Sequence, residues 1–324
     1  LKFNFVPNFF ERRDDDELFK TTIFNKSINN PIGMAAGFDK NAEVYNKLFK
    51  LGFGFVEVGT VTPLSQYGNP KPRVFRLLED KALINRLGFN NCGAHDVESR
   101  IKRNPQIGLL GINIGPNKDT ENRLEDYLIG IRTFNKLADY ITINISSPNT
   151  ENLRNFHDES RLEGLLKEIE NEKKKLNSKI PIVIKIAPDI NDTEIEKISE
   201  VLLGNNIEAV IISNTSNVTR EKLHDIQRHQ KGGLSGKPIE DKSNLLISKF
   251  YNNFKGRIKI IGVGGVDSGL SAYNKFLSGA NVIQLYTGMV YKGPNIVNII
   301  KNDLADILTK NGIKNFNEII GNRK

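Results

Sequence analysis

Residues 144–150 bring three hydroxyl side chains and two amides together at the point where a strand ends. The apolar, β-branched run before them, residues 140–143, is typical of a buried strand, and Pro148 stops it. Amides at a strand end can recognise a planar polar ligand, and a hydroxyl can accept a proton. Ser147 is the sharpest candidate, but serine is a weak base and would need a hydrogen-bonded relay to pass the proton on.

Lys185 is a second candidate, because it lies inside the apolar run 182–186. A buried ammonium is costly unless it faces an anion or a polarised ligand. We therefore predict that Lys185 points into a binding site. The alternative is that its side chain runs between the strand and the helix layer to reach solvent.

Two glycine-rich segments occur late in the chain, at residues 232–238 and 262–268, and residues 286–288 end the last candidate strand. Glycines let a backbone approach a ligand closely, and loops after the last strands of a barrel commonly bind phosphate. These segments favour a phosphate-bearing cofactor, although ordinary turns would also use glycine.

The elements that would position these residues follow a repeating order of a short apolar strand and an amphipathic helix. Eight candidate strands lie at residues 33–36, 54–58, 108–113, 141–144, 182–186, 209–213, 258–263 and 282–286. Candidate helices cover residues 41–51, 124–137, 160–175, 192–203, 239–251, 269–277 and 295–308. This order predicts an α/β fold, a (β/α)8 TIM barrel, with a β-hairpin inserted at residues 73–85. A doubly wound sheet fits less well, because no Gly-x-Gly-x-x-Gly opens the first strand–helix turn.

In such a barrel the active site lies at the carboxyl ends of the strands. The side chains there are unusually polar, with asparagines and lysines where branched apolar residues are the norm. They are Lys40, Thr60, Asn113, Asn144, Ser147, Asn149, Lys185, Ser213 and Asn214, with Gly264, Gly265, Tyr286, Thr287 and Gly288 at the last two strands.

Composition limits the other possibilities. The net charge of +8 comes from dispersed residues without a basic, aromatic-rich run, which argues against a nucleic-acid partner.

Cys92 is the single cysteine, so no intramolecular disulfide forms, and we interpret it as a packed residue rather than a nucleophile. All four histidines are interpreted as surface or structural, and no metal-ligand spacing is present. The sequence contains no run of 18 apolar residues of the kind that spans a membrane, and no signal peptide is visible.

From about residue 22 to the end, the chain resembles the quinone-linked class 2 dihydroorotate dehydrogenases, which are FMN enzymes. The resemblance is carried by residues 30–40, 57–63, 68–76, 85–91, 144–150, 185–189, 232–238, 264–265 and 286–288. Ser147 supports this class, because the soluble class 1 enzymes have a cysteine base at that position. The resemblance implies oxidation of dihydroorotate to orotate in pyrimidine (UMP) biosynthesis, with FMN as cofactor and a membrane quinone as the final acceptor.

The resemblance also implies roles for individual residues. Ser147 would be the base, with Thr150 and Phe89 forming a relay through a water. The substrate would contact Lys40, Asn85, Arg86, Leu87, Gly88, Phe89, Asn144, Asn149, Asn214 and Thr215. FMN would contact Ala36, Gly37, Phe38, Asp39, Lys40, Thr60, Asn113, Asn144, Lys185, Ser213, Gly236, Gly265, Tyr286 and Thr287. Ser213 departs from the threonine common in the family but keeps the hydroxyl.

In this family an N-terminal helical pair lies on the membrane and forms the quinone tunnel. Residues 1–21, which begin with a phenylalanine-rich stretch, are interpreted as a remnant of that element, the alternative being that these aromatic side chains pack on the domain itself. Residues 22–324 are interpreted as the FMN-binding catalytic domain. Arg76 matches a position at the quinone site. The implied location is peripheral to a membrane, either the cytoplasmic face of a bacterial membrane or the mitochondrial inner membrane.

Two other functions fit the sequence less well. A tRNA dihydrouridine synthase would need a catalytic cysteine in the active-site loop and a basic RNA-binding appendage, and the sequence shows neither. A catalytically idle phosphate-binding barrel would not need both Ser147 and Lys185.

Overall fold

A computed structural model describes residues 17–150, 153–205, 207–218 and 220–323. Most of the predicted N-terminal element, residues 1–21, therefore lies outside the described residues. No helix within these ranges is long and apolar enough to cross a membrane.

Eight parallel strands close into a barrel, as predicted. They are β3 (Ile32–Met34), β4 (Phe55–Val61), β7 (Leu109–Ile114), β8 (Tyr140–Asn144), β9 (Ile182–Ile186), β10 (Ala209–Ile212), β12 (Lys259–Val263) and β13 (Val282–Leu285). Strands β8 and β9 are buried along their whole length, which explains why parallel barrel strands read as nearly continuous apolar runs.

Helices surround the barrel. They are α1 (Tyr45–Lys50), α2 (Ala94–Arg103), α3 (Arg123–Phe134), α4 (Glu159–Lys175), α5 (Asp192–Gly204), α6 (Glu240–Phe254), α7 (Gly269–Leu277), α8 (Thr287–Lys292) and α9 (Ile296–Lys310). Side-chain oxygens of Asn122, Asp158, Asn191 and Ser268 cap the amino ends of α3, α4, α5 and α7. Helices α2 and α8 were not among those predicted from the sequence.

A short hairpin closes the amino-terminal end of the barrel. Its strands are β1 (Thr21–Ile23) and β2 (Lys26–Ile28), joined by a turn that contains Phe24. The Phe24 ring packs on Tyr140, with ring centroids 4.8 Å apart. Apolar side chains of the hairpin and of the lower barrel form one cluster, so the barrel is a filled core at this end.

A three-stranded antiparallel sheet is formed by the segments outside the barrel. The predicted hairpin is present as β5 (Val74–Leu77) and β6 (Ala82–Asn85). Residues 232–238 were interpreted as a glycine-rich loop, but within them β11 (Gly233–Gly236) pairs with β6 along its length. This pairing joins residues distant in sequence, so no local pattern could have indicated it.

Candidate active site

A cavity of about 420 Å³ opens at the carboxyl ends of the barrel strands. The predicted residues that line it are Ala36, Gly37, Lys40, Thr60, Asn85, Leu87, Gly88, Phe89, Asn144, Ser147, Asn149, Lys185, Ser213, Asn214, Thr215, Gly236, Gly265, Tyr286 and Thr287. Most of the side chains predicted to bind ligands are thus brought to one place, as the strand-end pattern requires.

A buried amide network forms the floor of the cavity. Asn144 Nδ2 donates to Thr60 Oγ1 over 2.9 Å, and Thr60 Oγ1 donates to Asn113 Oδ1 over 2.6 Å. Asn113 Nδ2 in turn donates to Glu57 Oε1 over 2.9 Å. Asn113 does not line the cavity itself, so in this structure it orients Thr60 and Asn144 from below.

Two adjacent serines differ in what their hydroxyls do. Ser146 Oγ donates to Asn144 Oδ1 over 3.0 Å and accepts from Asn214 Nδ2 over 2.9 Å. Ser147 Oγ accepts from the Asn149 backbone N–H over 3.3 Å and lines the cavity. The Ser147 side chain is therefore available to a ligand, whereas Ser146 is occupied in holding two amides.

Further hydrogen bonds hold the Asn149 side chain and the backbone of two loops that line the cavity. Asn149 Nδ2 donates to the Asn85 carbonyl oxygen over 3.2 Å. Arg154 Nε donates to the Ser146 carbonyl oxygen over 3.3 Å, and its Nη2 donates to the Thr215 carbonyl oxygen over 3.1 Å. Arg154 thereby joins the loop after β8 to the loop after β10.

Two lysines make one wall of the cavity positive. Burial and the nearby charges of Lys185 and Arg73 lower the pKa of Lys40 to about 8. Burial also lowers the pKa of Lys185, and the Glu57 carboxylate below it acts in the opposite direction. Two ammonium groups in a partly dry cavity favour an anionic ligand, as predicted for Lys185.

Glu57 is fully buried in the barrel interior beneath the cavity. Besides Asn113, it accepts hydrogen bonds from Tyr140, Thr142 and Gln284 at 3.0–3.1 Å. Four neutral donors satisfy a carboxylate without pairing it directly to a cation. Glu57 was predicted on a strand without a role of its own, although a carboxylate within an apolar run was a usable signal.

The far end of the cavity is built from backbone. Gly264 and Gly265 line it with φ angles of 122° and 76°, values that favour glycine. The Gly264 amide faces the Gln284 carbonyl of β13 in the strand ladder, whereas the Gly265 amide donates to no other protein group among the described residues. Ser235 and Thr287 also line this end, and their hydroxyl oxygens lie 2.8 Å apart. A free amide beside hydroxyls forms a suitable environment for a phosphate group.

Some predicted residues do not line this cavity. Asp39 accepts the backbone N–H groups of Glu43 and Val44, and Phe38 packs edge-on against Tyr286 at 6.0 Å. Arg86 donates to Gln230 and lies over the Phe75 ring. Thr150 is buried and outside the lining.

An apolar opening leads from the cavity to the surface beneath the three-stranded sheet. Val74, Leu78, Leu83 and Tyr291 line it. Leu78 is 65 % exposed although it is large and apolar. Arg76 lies outside the lining, with its guanidinium 5.7 Å from the centre of the Tyr291 ring.

His157 lies in a short 3-10 helix (Leu153–His157) and is buried. The Ala187 amide donates to its Nε2 over 3.3 Å, and burial lowers its pKa. Its role is therefore structural, as interpreted. Within the described ranges, no group of three His, Cys, Asp or Glu side chains is placed to hold a metal ion.

The chain is similar to known proteins in both sequence and structure. A sequence model described as dihydroorotate dehydrogenase matches residues 18–308. A dihydroorotate dehydrogenase (quinone) of Bartonella tribocorum is 44% identical over 308 residues, covering 94% of this chain and 85% of the relative. The enzyme of the same name from Idiomarina loihiensis is 47% identical over 281 residues, covering 85% and 84%.

Solved structures agree with the sequence comparison. A DHODH of Eimeria tenella in complex with ferulenol superposes with a TM-score of 0.94 at 37% identity, covering 98% of this chain and 91% of the other. The ligand-free form superposes with a TM-score of 0.93 at 38% identity, covering 98% and 94%.

Proposed function

The chain belongs to the dihydroorotate dehydrogenase family, and on this premise we propose that it oxidises dihydroorotate to orotate in pyrimidine biosynthesis. In this reaction C5 of the ring loses a proton and C6 loses a hydride, so that a C5–C6 double bond forms. The observation that carries the proposal is the Ser147 hydroxyl, whose oxygen accepts the Asn149 backbone N–H and faces a cavity lined by amides and two lysines.

Recognition of the substrate rests on the amides and the lysines. Orotate is planar, with amide edges and a carboxylate. Asn85, Asn144, Asn149 and Asn214 supply donors and acceptors for the edges, and Lys40 supplies a charge for the carboxylate. Because hydrogen bonds to Ser146, Thr60 and the Asn85 backbone already orient three of the amides, little side-chain freedom is lost on binding.

The cavity also fits FMN. Its Gly264–Gly265 end offers the free amide of Gly265 for a phosphate. Lys185 lies toward the barrel centre, where positive charge favours a flavin that has gained electrons. Ala36, Gly37, Thr60, Ser213, Gly236, Tyr286 and Thr287 supply further contacts. When bound, FMN supplies the acceptor for the hydride. Asn113 would act on FMN only through Thr60 and Asn144. Phe38 and Asp39 would act on FMN only through the backbone that they hold in place.

Ser147 is proposed as the base that takes the C5 proton. The Asn149 N–H donates to its oxygen, which orients the hydroxyl and favours negative charge on it. Serine needs an outlet for the proton, and the buried Thr150 and Phe89 are proposed to hold a water that provides one. Burial of Ser147, which is 5 % exposed, keeps bulk water from the reacting carbon.

A quinone is proposed as the final electron acceptor, as the names of the relatives suggest. The opening at Val74, Leu78 and Tyr291 supports this, since these side chains give a largely apolar route to the cavity, with Lys81 of the same hairpin among the lining residues. Arg76 lies beside that route, two residues beyond Val74 on the same side of β5. We further propose peripheral association with the membrane that holds the quinone, through the N-terminal element.

Anaerobic titration tests this function directly. The purified protein should be yellow, and dihydroorotate should bleach the flavin absorbance with one orotate formed per flavin. Adding a ubiquinone analogue should restore the colour. The proposal would be ruled out if the protein carried no flavin, or if its flavin stayed oxidised after dihydroorotate was added.

A further inference from the structure

Arg154 lies in the 3-10 helix Leu153–His157 and outside the cavity lining. Its Nε donates to the Ser146 carbonyl oxygen over 3.3 Å, and this carbonyl belongs to the peptide group that joins Ser146 to Ser147. Its Nη2 donates to the carbonyl oxygen of Thr215, a residue of the cavity lining, over 3.1 Å. One guanidinium therefore holds the backbone beside the proposed base and the backbone of a second loop of the cavity.

Asp189, which follows β9, is the third partner of this guanidinium. Its Oδ2 accepts from Arg154 Nη1 over 3.2 Å. The same carboxylate accepts from Ser216 Oγ over 2.6 Å, from the Asn217 backbone N–H over 2.9 Å and from Lys242 Nζ over 2.5 Å. The Arg154–Asp189 pair thus connects the segments that follow β8, β9 and β10, which are neighbouring strands of the barrel.

The planar shape of the guanidinium is what these contacts use. Ser146, Asp189 and Thr215 are bonded by three different nitrogens of one rigid group, so the three segments are fixed relative to one another. A lysine carries all its donors on a single nitrogen and cannot reach three acceptors spread around such a plane. The ion pair is also largely shielded from solvent, since the Asp189 side chain is 10 % exposed and that of Arg154 is 26 % exposed.

The 3-10 helix has a second attachment that does not need the Arg154 side chain. The Ala187 N–H donates to His157 Nε2 over 3.3 Å, and Leu153 is fully buried. A substitution of Arg154 should therefore leave the helix at the end of β9 and free the Ser146–Ser147 peptide group to shift. The effect of Arg154 on position can thus be measured separately from its effect on folding.

We propose that Arg154 and Asp189 are a positioning pair for the Ser147 hydroxyl, acting through the Ser146–Ser147 peptide group without touching the substrate. The inference rests on the proposed oxidation of dihydroorotate and adds to it two residues that set the distance between the base and the substrate carbon. A purely structural ion pair would change the stability of the protein and not the rate of the bound flavin.

A conservative substitution tests this role in the flavin-loaded protein. Arg154→Lys keeps the charge beside Asp189 but loses the planar set of donors. Single-turnover reduction of the bound flavin by dihydroorotate should slow by roughly 10-fold to 100-fold, the cost of a displacement of about 1 Å. The dissociation constant of orotate should rise by no more than about fivefold, because Asn214 keeps its hydrogen bond to Ser146.

Chemical rescue separates positioning from stability. Arg154→Ala leaves space for a guanidinium ion beside Asp189, and millimolar guanidinium chloride should raise its rate of flavin reduction by about fivefold. Sodium chloride at the same concentration should not. Arg132→Lys is the matched control, because Arg132 pairs with the buried Glu172 and lies outside the cavity lining, and its reduction rate should equal that of wild type.

The outcomes distinguish this inference from the function on which it rests. A wild-type flavin that dihydroorotate does not reduce overturns the proposed function. If wild type is reduced, a wild-type rate in Arg154→Lys, an equal slowing in Arg132→Lys, or no response of Arg154→Ala to guanidinium overturns the role of the pair. If the Arg154 variants do not fold, Asp189→Asn decides, with an expected slowing of roughly 3-fold to 10-fold.

Discussion

At the scale of single residues, the site separates groups that hold the cavity from groups that face it. Ser146 is engaged by Asn144 and Asn214, whereas the Ser147 hydroxyl accepts one backbone hydrogen bond and lines the cavity. From the sequence Ser147 was the candidate base, and that role stays a prediction; the structure adds that its side chain lines the cavity.

Lys185 was predictable because an ammonium inside an apolar strand is rarely tolerated unless it faces a ligand or a counter-ion. Arg154 was not, because its partners Ser146, Asp189 and Thr215 are assembled only by the fold. Long-range hydrogen bonds of this kind leave no periodic signal in the sequence. A single sequence therefore predicts the residues that face the ligand more readily than it predicts the residues that hold them in place.

Lys40 leads to a prediction about pH. Its pKa is lowered to about 8, and a substrate carboxylate binds the protonated form. The affinity for orotate should be full below about pH 8 and should fall by up to about tenfold per pH unit above it. Orotate titrations followed by flavin absorbance measure this dependence. The Lys40→Met variant should bind orotate weakly at every pH, and its affinity should not fall further as the pH rises. A wild-type affinity that stays unchanged up to about pH 9.5 would contradict the role of Lys40.

At the scale of elements, the three-stranded sheet forms the apolar side of the cavity. The β5–β6 hairpin was predicted from its two short apolar runs and the polar turn between them. The third strand, β11, was interpreted as loop because Gly233 and Gly236 lack the side chains that mark strands. Strand pairing with β6 outweighed this low propensity.

Leu78 gives a test of the hairpin's proposed role. It is large, apolar and exposed at the opening, so Leu78→Glu should fold normally and place a charge on the quinone route. We expect KM for a quinone to rise about tenfold while flavin reduction by dihydroorotate keeps its rate. Leu245→Glu, a similarly exposed change on α6, is the matched control. Equal effects of the two variants on KM would argue against the opening as the quinone route.

At the scale of the whole molecule, the barrel must be filled at one end and open at the other. The eight strands and their order were predictable, because each strand is a short apolar run followed by a helical pattern. The filling of the lower end was not, since Tyr140 packs there against Gly111 and Phe24 from separate segments.

Gly111 tests this packing. A Cβ at this position would lie 2.1 Å from Cζ of the buried Tyr140, so Gly111→Ala should lower the free energy of unfolding by about 1–3 kcal/mol or more. Gly164, on an exposed face of α4, has no atom within 4 Å of an added Cβ. Gly164→Ala should instead raise stability by about 0.5–1 kcal/mol. Urea denaturation compares the two, and equal stability of Gly111→Ala and wild type would refute the packing argument.

The central claim is that Ser147 removes the C5 proton, and single-turnover reduction of the bound flavin by dihydroorotate tests it most directly. Ser147→Ala should bind orotate normally and slow flavin reduction by roughly 10²–10⁴-fold. Ser147→Cys restores a group able to accept a proton and should recover part of the rate, with a pH profile that follows the thiol. A Ser147→Ala rate within a few-fold of wild type would contradict the account.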